Sequence, residues 1–159
     1  MIVDSIKIEC RQVSKIFKQR GGSVQIPVLK DISISVLEKE FLVIVGPGQC
    51  GKSTLLRIMA GLETPTTGRV LLDGKEVTGP GPDRGLVFQK YTLFPWKTVM
   101  GNVEMGPKLA GMPRKKRRDL SQRYISLVGL EGFENAYPHE LSGGMKQRVG
   151  IARAYANDP

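Results

Sequence analysis

The run "FLVIVGPGQCGKSTLLRIMAGL", Phe41 to Leu62, constrains the fold of this chain more than any other stretch. Its continuously apolar start is typical of a strand that is buried on both faces of a parallel sheet. A glycine-rich turn follows, and the residues after it repeat at helical spacing, with apolar side chains at Leu55, Leu56, Met59 and Leu62. A strand, a glycine turn and a helix in this order predict a phosphate-binding unit of an α/β protein.

The turn satisfies the pattern G-x-x-x-x-G-K-[ST] from Gly46 to Ser53. Small residues let backbone N–H groups crowd around a phosphate, and the helix after the turn adds its positive end. The Lys52 cation suits the β- and γ-phosphates, and the Ser53 hydroxyl suits Mg²⁺. The predicted nucleotide-binding residues of this loop are Gly46, Pro47, Gly48, Gln49, Cys50, Gly51, Lys52, Ser53 and Thr54.

A length of 159 residues fits a single domain, or one domain with a small insertion, and 40% hydrophobic residues with a mean hydropathy of -0.16 fit a soluble globular core. The sequence contains no apolar run long enough to span a membrane and no signal peptide pattern at its start, so we expect a cytoplasmic protein. Two cysteines, Cys10 and Cys50, are too few for a disulfide scaffold or a four-ligand zinc site.

The net charge of +9 is compatible with an acidic partner such as nucleic acid, an anionic membrane or a polyphosphate. Much of it lies in "RKKRRD", Arg114 to Asp119. A run of this kind is usually a solvated helix face, and the alternative is a patch for nucleic acid or membrane. Because no aromatic residue interrupts the run, a base-stacking surface is not indicated.

The alternation of polar and apolar residues predicts two half-buried strands near the start, Ile6 to Val13 and Ile32 to Val36, joined by the turn-rich "QRGGSVQIP". Two more short strands are predicted at "RVLLDG" and "GLVFQ". The stretch from about Thr98 to Pro138 is predicted to be mostly helical, with one apolar face made by Leu120, Tyr124, Leu127 and Val128.

A second motif, "LSGGMKQRV", runs from Leu141 to Val149. Ser142 is a suitable N-cap for a helix whose apolar face holds Met145, Val149 and Ala152. Capping alone explains the serine, but it does not explain two consecutive glycines beside "MKQR". Their bare N–H groups predict a second anion site.

The glycine loop and "LSGGMKQRV", in this order and spacing, resemble the ATP-binding subunit of an ABC transporter across the whole chain. The resemblance implies an α/β P-loop NTPase core with an N-terminal antiparallel β subdomain and a helical subdomain, from which the C-terminal strands are missing. It implies that Phe17 in "VSKIF" stacks on adenine, that Lys52 and Gln89 are catalytic, and that Ser53 and Gln89 serve Mg²⁺. The implied contact with the ATP of the opposite subunit uses Leu141, Ser142, Gly143, Gly144, Met145, Lys146 and Gln147.

The stretch "GPGPDRGLVFQKYTLFPWKTVMGNV", Gly79 to Val103, resembles the nitrate, sulfonate, taurine and bicarbonate importers. This narrower resemblance implies MgATP hydrolysis coupled to uptake of a small anion. It implies a permease that contacts the region after Gln89, a second ATP-binding subunit in a homodimer and, indirectly, a solute-binding protein. The chain would then lie at the cytoplasmic face of the membrane, and nucleic acid is not expected as a partner.

Three departures from the family pattern stand out. Gln49 replaces the usual glycine, which carries a strain cost of about 1–2 kcal/mol if position 49 needs a positive φ. Lys39 likewise stands where a glycine is common before the apolar run. In the family pattern a later strand supplies an aspartate and a catalytic glutamate, and a switch histidine follows. These residues have no counterpart here. Asp158 is the only acidic residue after "LSGG", and the single histidine, His139, lies before that motif. We therefore expect the chain alone to be hydrolysis-deficient, and marginally stable or prone to aggregate.

The motif "LSGGMKQRV" is called the signature below. The predicted division is a β subdomain with P-loop core at about 1–97, a helical subdomain at about 98–141 and the signature helix at 142–159. Two other functions remain open at this point. One is a nucleotide-binding or interaction module that does not hydrolyse ATP, and the other is an ABC-type ATPase that acts on nucleic acid.

Overall fold

Two long antiparallel strands organise the first half of the chain. In the computed structural model, which describes residues 5–18 and 24–159, β1 spans Ile6–Lys18 and β2 spans Gln25–Leu37. β3 (Thr67–Leu72) and the short β4 (Lys75–Glu76) complete a four-stranded sheet in the order β2-β1-β3-β4, with all neighbours antiparallel. This is the predicted antiparallel β subdomain.

Both long strands exceed their predicted lengths because the ladder continues through two irregular positions. Gln12 has φ 51° and Asp31 has φ 50°, and the register between β1 and β2 shifts near Gln12. Serine hydroxyls accept the displaced N–H groups, since Ser33 Oγ lies 3.1 Å from Gln12 N and Ser14 Oγ lies 3.0 Å from Asp31 N. Residues 19–23 of the predicted turn lie outside the described part, and the residues from Gln25 belong to β2.

Helix α1 (Lys52–Met59) packs on this sheet through Leu55 and Ile58, which are buried with Cys10, Val13, Leu29 and Val70. Of the four apolar residues at helical spacing, Leu55 is buried and Met59 is half-buried, whereas Leu56 and Leu62 are 44% and 45% exposed. The helix ends in a Schellman motif: Gly61 N donates to Ile58 O at 3.0 Å and Leu62 N donates to Arg57 O at 2.8 Å. Gly61 has φ 73°, and a Cβ there would collide with the Gly79 carbonyl.

Two predicted strands are absent from the structure. Residues 41–45 and 85–89 have extended or irregular backbone without a hydrogen-bonded strand partner among the described residues. The first run is also largely exposed, with Phe41 at 90% and Val45 at 84%. A strand needs a neighbour to accept and donate its ladder hydrogen bonds, and neither run has one here, so the prediction of two strands at these positions was wrong.

The second half of the chain is helical, as predicted. It contains α2 (Val99–Val103), α3 (Met105–Leu109), α4 (Arg114–Leu127), a 3₁₀ turn (Pro138–Glu140) and α5 (Gly143–Tyr155). Their shared core is made by Val99, Met100, Val103, Ile125, Leu130, Leu141, Val149, Ala152 and Ala156. In α4 the buried face is displaced from the prediction, because Ser121 and Ile125 are buried while Leu127 is 68% exposed.

Contacts divide the chain into two compact units, Met1–Gly81 and Pro82–Pro159. Residues 82–97 therefore belong to the same unit as the helices. The three-part subdomain division drawn from the sequence stays a prediction. No helix in the described ranges, 5–18 and 24–159, has the length and apolar character needed to cross a membrane.

Candidate functional site

The glycine loop wraps around the N-terminus of α1 and lies against β2. Gly51 is the N-cap residue with φ 99°, a conformation that side-chain-bearing residues rarely adopt. A Cβ at Gly51 would also lie 2.8 Å from Leu29 Cδ2 and 2.8 Å from the Val28 carbonyl oxygen. Position 51 therefore requires glycine for both backbone conformation and space.

The Lys52 ammonium closes this loop on itself. Its Nζ donates to Gly46 O and to Pro47 O, each at 2.7 Å, and lies 3.4 Å from Cys50 Sγ. These acceptors belong to the same loop, and no carboxylate among the described residues forms a salt bridge with the cation. An anion at the loop can compete for this ammonium without breaking a salt bridge.

Gln49 has φ 63°, so the condition for the predicted strain is met. A left-handed backbone at a residue other than glycine costs about 1–2 kcal/mol. Lys39 has φ 64°, which likewise fits the glycine that is common at this position in the family pattern. Gly48 differs from both, since a Cβ there would meet nothing within 4 Å and a serine would fit.

Ser53 is exposed and Thr54 is half-buried in the first turn of α1. Their hydroxyls therefore lie at the positive end of the helix, where an anion and its metal ion are favoured. Phe17 is in the same unit, near the end of β1, with 38% of the residue exposed and the Lys15 Nζ 4.9 Å from its ring centroid. The Phe17 ring thus keeps a solvent-accessible surface on which another planar group can stack.

Gln89 and "LSGGMKQ" belong to the second unit. Ser142 caps α5, since its Oγ accepts a hydrogen bond from Met145 N at 3.3 Å, as predicted. Leu141 is buried and anchors the helix start, whereas Gln89, Ser142, Gly143, Gly144 and Gln147 are exposed. Met145 and Lys146 are half-buried. The second unit thus presents bare backbone N–H groups to solvent at the helix start.

Comparison with known families places the chain. A family model described as "ABC transporter" matches residues 29–159. The chain belongs to the ABC transporter family. Its fold is accordingly that of an ABC ATPase cassette, although the described sheet contains only the antiparallel strands.

Three relatives of this ABC family chain are named as ATP-binding proteins. It is 56% identical over 154 residues to an uncharacterized ABC transporter ATP-binding protein of Methanocaldococcus jannaschii, covering 97% of this chain and 57% of the relative. It is 52% identical over 152 residues to a nitrate import ATP-binding protein of Synechocystis, covering 96% and 56%. It is 48% identical over 133 residues to a taurine import ATP-binding protein of Yersinia pestis, covering 84% and 52%. The chain thus spans about half the length of these relatives.

A solved structure gives the same result at the level of the fold. A dimeric ATP-binding cassette in a post-hydrolysis state, bound to ADP and Pi, matches with a TM-score of 0.84 and 35% identity. The match covers 96% of this chain and 70% of that one.

Asn102 is a structural residue of this ABC family chain that no motif predicted. It is fully buried in α2, where its Oδ1 accepts from Phe94 N at 2.8 Å. Its Nδ2 lies within hydrogen-bond distance of three carbonyl oxygens, at Phe94 (3.2 Å), Lys97 (3.1 Å) and Thr98 (3.0 Å). A single side chain therefore shapes the "LFPW" turn. The signal in the sequence is a lone amide among apolar residues in "VMGNV".

Two arginines of α5 were also missed. Arg148 donates from NH1 to Val128 O at 2.9 Å and to Gly129 O at 3.1 Å, at the end of α4. Arg153 donates from NH1 to Thr92 O at 2.9 Å and from NH2 to Thr92 Oγ1 at 3.1 Å. Burial lowers the pKa of Arg153. Sequence spacing carries no signal for either contact because both join distant parts of the chain.

Proposed function

We propose that this chain is part of the ATP-binding subunit of an ABC importer and that its glycine loop binds the phosphates of MgATP. The single observation that carries the proposal is the Lys52 ammonium, held by two carbonyls of its own loop at the start of α1. This arrangement places a cation beside the exposed backbone of Gly46 to Cys50, and a polyphosphate requires both a cation and accessible N–H groups.

Each predicted residue then has a role in the proposal. Lys52 neutralises the β- and γ-phosphates, and Phe17 stacks on the adenine. Mg²⁺ supplies charge neutralisation when bound, and Ser53 and Gln89 are the residues that would serve it. The exposed serine hydroxyl and amide oxygen are hard oxygen donors that fit this metal.

The signature residues Leu141 to Gln147 contact, in this proposal, an ATP held by a second copy of the subunit. Exposed glycine N–H groups at the capped start of α5 support this role. The region after Gln89 faces the permease, and 71% of Trp96 is exposed there. The subunit would lie at the cytoplasmic membrane face, and a solute-binding protein would act on it only through the permease.

The transported solute is proposed to be a small anion of the nitrate, sulfonate or taurine kind, because relatives carry nitrate and taurine import in their names. We also propose that turnover by this chain alone is very slow. Phosphoryl transfer depends on positioned carboxylates and metal charge, and Asp158 is the only acidic residue after the signature.

The test is MgATP binding by calorimetry with the wild-type chain, Lys52→Ala and a matched control, Lys75→Ala, which removes an exposed lysine of β4 in the same unit. We expect affinity to fall at least about tenfold in Lys52→Ala, as the loss of one charge-assisted contact implies, and to stay unchanged in Lys75→Ala. Equal affinity in all three proteins would refute the phosphate role. Steady-state ATP turnover by the wild-type chain in a clean preparation would refute the slow-turnover proposal. If the chain binds ATP but no turnover occurs even when a longer relative is present, the alternative of a non-hydrolysing module is favoured.

A further inference from the structure

The segment from Tyr91 to Trp96, here called the 91–96 segment, contacts α5 near both of its ends. At the first residue of the helix, a Cβ on Gly143 would lie 2.7 Å from the Tyr91 hydroxyl oxygen, so the end of the Tyr91 side chain packs close to this exposed glycine. Near the last turn, Arg153 donates to both the carbonyl and the hydroxyl of Thr92. Two consecutive residues of the segment, Tyr91 and Thr92, thus contact α5 at opposite ends of the helix.

The contact with Arg153 stabilises Thr92 in a backbone conformation that is unfavourable for an isolated threonine. Thr92 has φ 44°, and a β-branched residue in the left-handed region costs about 1–3 kcal/mol. Two guanidinium hydrogen bonds compensate this cost, and they are of the strong, charge-assisted kind. The guanidinium carbon of Arg153 also lies 5.6 Å from the Phe94 ring centroid, within cation–π range.

From Phe94 the contacts continue to the surface. The Phe94 and Trp96 ring centroids lie 5.7 Å apart, and Trp96 is 71% exposed. On its other side the segment is fixed by Asn102, through hydrogen bonds to both the N–H and the carbonyl of Phe94. A large aromatic ring is therefore presented to solvent on a backbone that the signature helix and α2 hold in place.

We infer that Tyr91 and Arg153 are positioning residues that fix the 91–96 segment to α5, so that the glycines of the signature and the exposed Trp96 ring move as one body. This inference rests on the proposed function and deepens it. A partner that engages Trp96 and an ATP that contacts Ser142 to Gly144 then influence each other through these two contacts. Arg153 acts through Thr92 and Phe94, and Tyr91 acts through the packing of the end of its side chain against Gly143.

The chain offers a direct readout, because Trp96 is its single tryptophan. The first experiment compares Arg153→Met with Arg148→Met, a matched control that removes an arginine of the same helix that also makes two hydrogen bonds. We expect time-resolved anisotropy of Trp96 to show increased fast motion in Arg153→Met only. Hydrogen exchange at the Phe94 amide should quicken about tenfold in that variant, as loss of one or two hydrogen bonds predicts.

The second experiment uses the steric contact and removes no hydrogen bond. Gly143→Ala places a methyl group 2.7 Å from the Tyr91 hydroxyl oxygen, whereas Gly144→Ala meets nothing within 4 Å. We expect Gly143→Ala to displace the segment and to change the Trp96 signal, and Gly144→Ala to leave it unchanged. Tyr91→Phe combined with Gly143→Ala should restore the wild-type signal, because the nearest ring atom, Cζ, lies 3.6 Å from the added carbon.

Identical Trp96 motion in wild type, Arg153→Met and Gly143→Ala would overturn the inference, as would an equal response in Arg153→Met and Arg148→Met. If Arg153→Met does not fold, the inference is tested by Gly143→Ala and by its rescue with Tyr91→Phe. MgATP binding by the wild-type chain and Lys52→Ala decides the proposed function separately, because that measurement does not use the Trp96 signal.

Discussion

Asn102 and Phe94 exchange two hydrogen bonds across the turn that presents Trp96: Phe94 N donates to Asn102 Oδ1 at 2.8 Å, and Asn102 Nδ2 donates to Phe94 O at 3.2 Å. The amide is fully buried, so no water replaces it when it is removed. This pair is the point at which the helical core determines the position of a surface loop.

Asn102→Leu should therefore destabilise the chain strongly. The substitution leaves the Phe94 N–H and neighbouring carbonyls without their partner, and each buried unsatisfied group costs about 1–3 kcal/mol. We expect a loss of about 2–4 kcal/mol in the free energy of unfolding, measured by urea denaturation.

Ser121→Ala in α4 is the matched control, since Ser121 is equally buried but its hydroxyl has no hydrogen-bond partner in the described part of the chain. Removing an unsatisfied hydroxyl from a helix should leave stability unchanged or raise it by up to about 1 kcal/mol. A loss of stability in Ser121→Ala as large as that in Asn102→Leu would contradict this account of the buried polar groups.

Gln49→Gly should tighten nucleotide binding. Gln49 lies in the loop at φ 63°, and glycine removes the strain of about 1–2 kcal/mol while adding some chain entropy to the unfolded state. We expect a several-fold gain in MgATP affinity by calorimetry, because the relaxed loop aligns its N–H groups more easily with the phosphates. Lys39→Gly is the control, with a similar φ of 64° in the turn before the apolar run. It should change stability without changing affinity, and an unchanged affinity in Gln49→Gly would reject the strain argument.

The run from Phe41 to Val45 should make the chain prone to aggregate. Phe41, Val43 and Val45 are 90%, 61% and 84% exposed, and the run borders an open cavity of about 490 Å³. Exposed apolar segments of high β propensity pair with other chains. We expect Val43→Lys combined with Val45→Lys to delay the rise in light scattering on heating. The control is Lys30→Glu combined with Lys75→Glu, which changes charge at exposed sites outside the run. A reversible monomeric melt of the wild-type chain would show that the run is harmless.

Local patterns predicted the parts of the fold that depend on local chemistry. The alternation in β1, the glycine-rich loop before α1 and the Ser142 cap of α5 all follow from residues close together in sequence. The positive φ at Gln49 could be anticipated because a glycine is usual at that position of the pattern. These features need no distant partner, so the sequence carries them directly.

The features that sequence reasoning missed depend on distant partners. Residues 41–45 have the composition of a buried strand, yet composition does not supply the neighbouring strand that would complete the ladder. Arg153 and Thr92 are 61 residues apart, and no spacing rule relates them. Asn102 could be noticed as an amide within an apolar helix, but the N–H group that donates to it and the carbonyls that accept from it become visible only when α2 is folded against the "LFPW" turn.

The stability of the chain should fall above about pH 8.5 because of Cys10. This thiol is 2% exposed in the core beneath α1, and burial raises its pKa. In the unfolded chain the thiol loses its proton near its ordinary pKa of about 8.5, whereas the folded chain retains it, so the unfolded state binds fewer protons and alkaline pH favours unfolding. The contribution is constant below the unfolded pKa and is lost as the pH rises towards the folded pKa.

The measurement is urea unfolding between pH 7 and pH 10 for Cys50→Ala and for Cys10→Ala combined with Cys50→Ala. The first substitution removes the exposed thiol from both proteins, so that Cys10 is the only cysteine in which they differ. Up to about pH 8, we expect the free energies of unfolding of the two proteins to differ by a constant amount. Above that pH, the protein that retains Cys10 should lose stability relative to the other by up to about 1.4 kcal/mol per pH unit. All other groups are common to the two proteins, so a difference that stays constant to pH 10 would show that the folded chain releases the Cys10 proton as easily as the unfolded one.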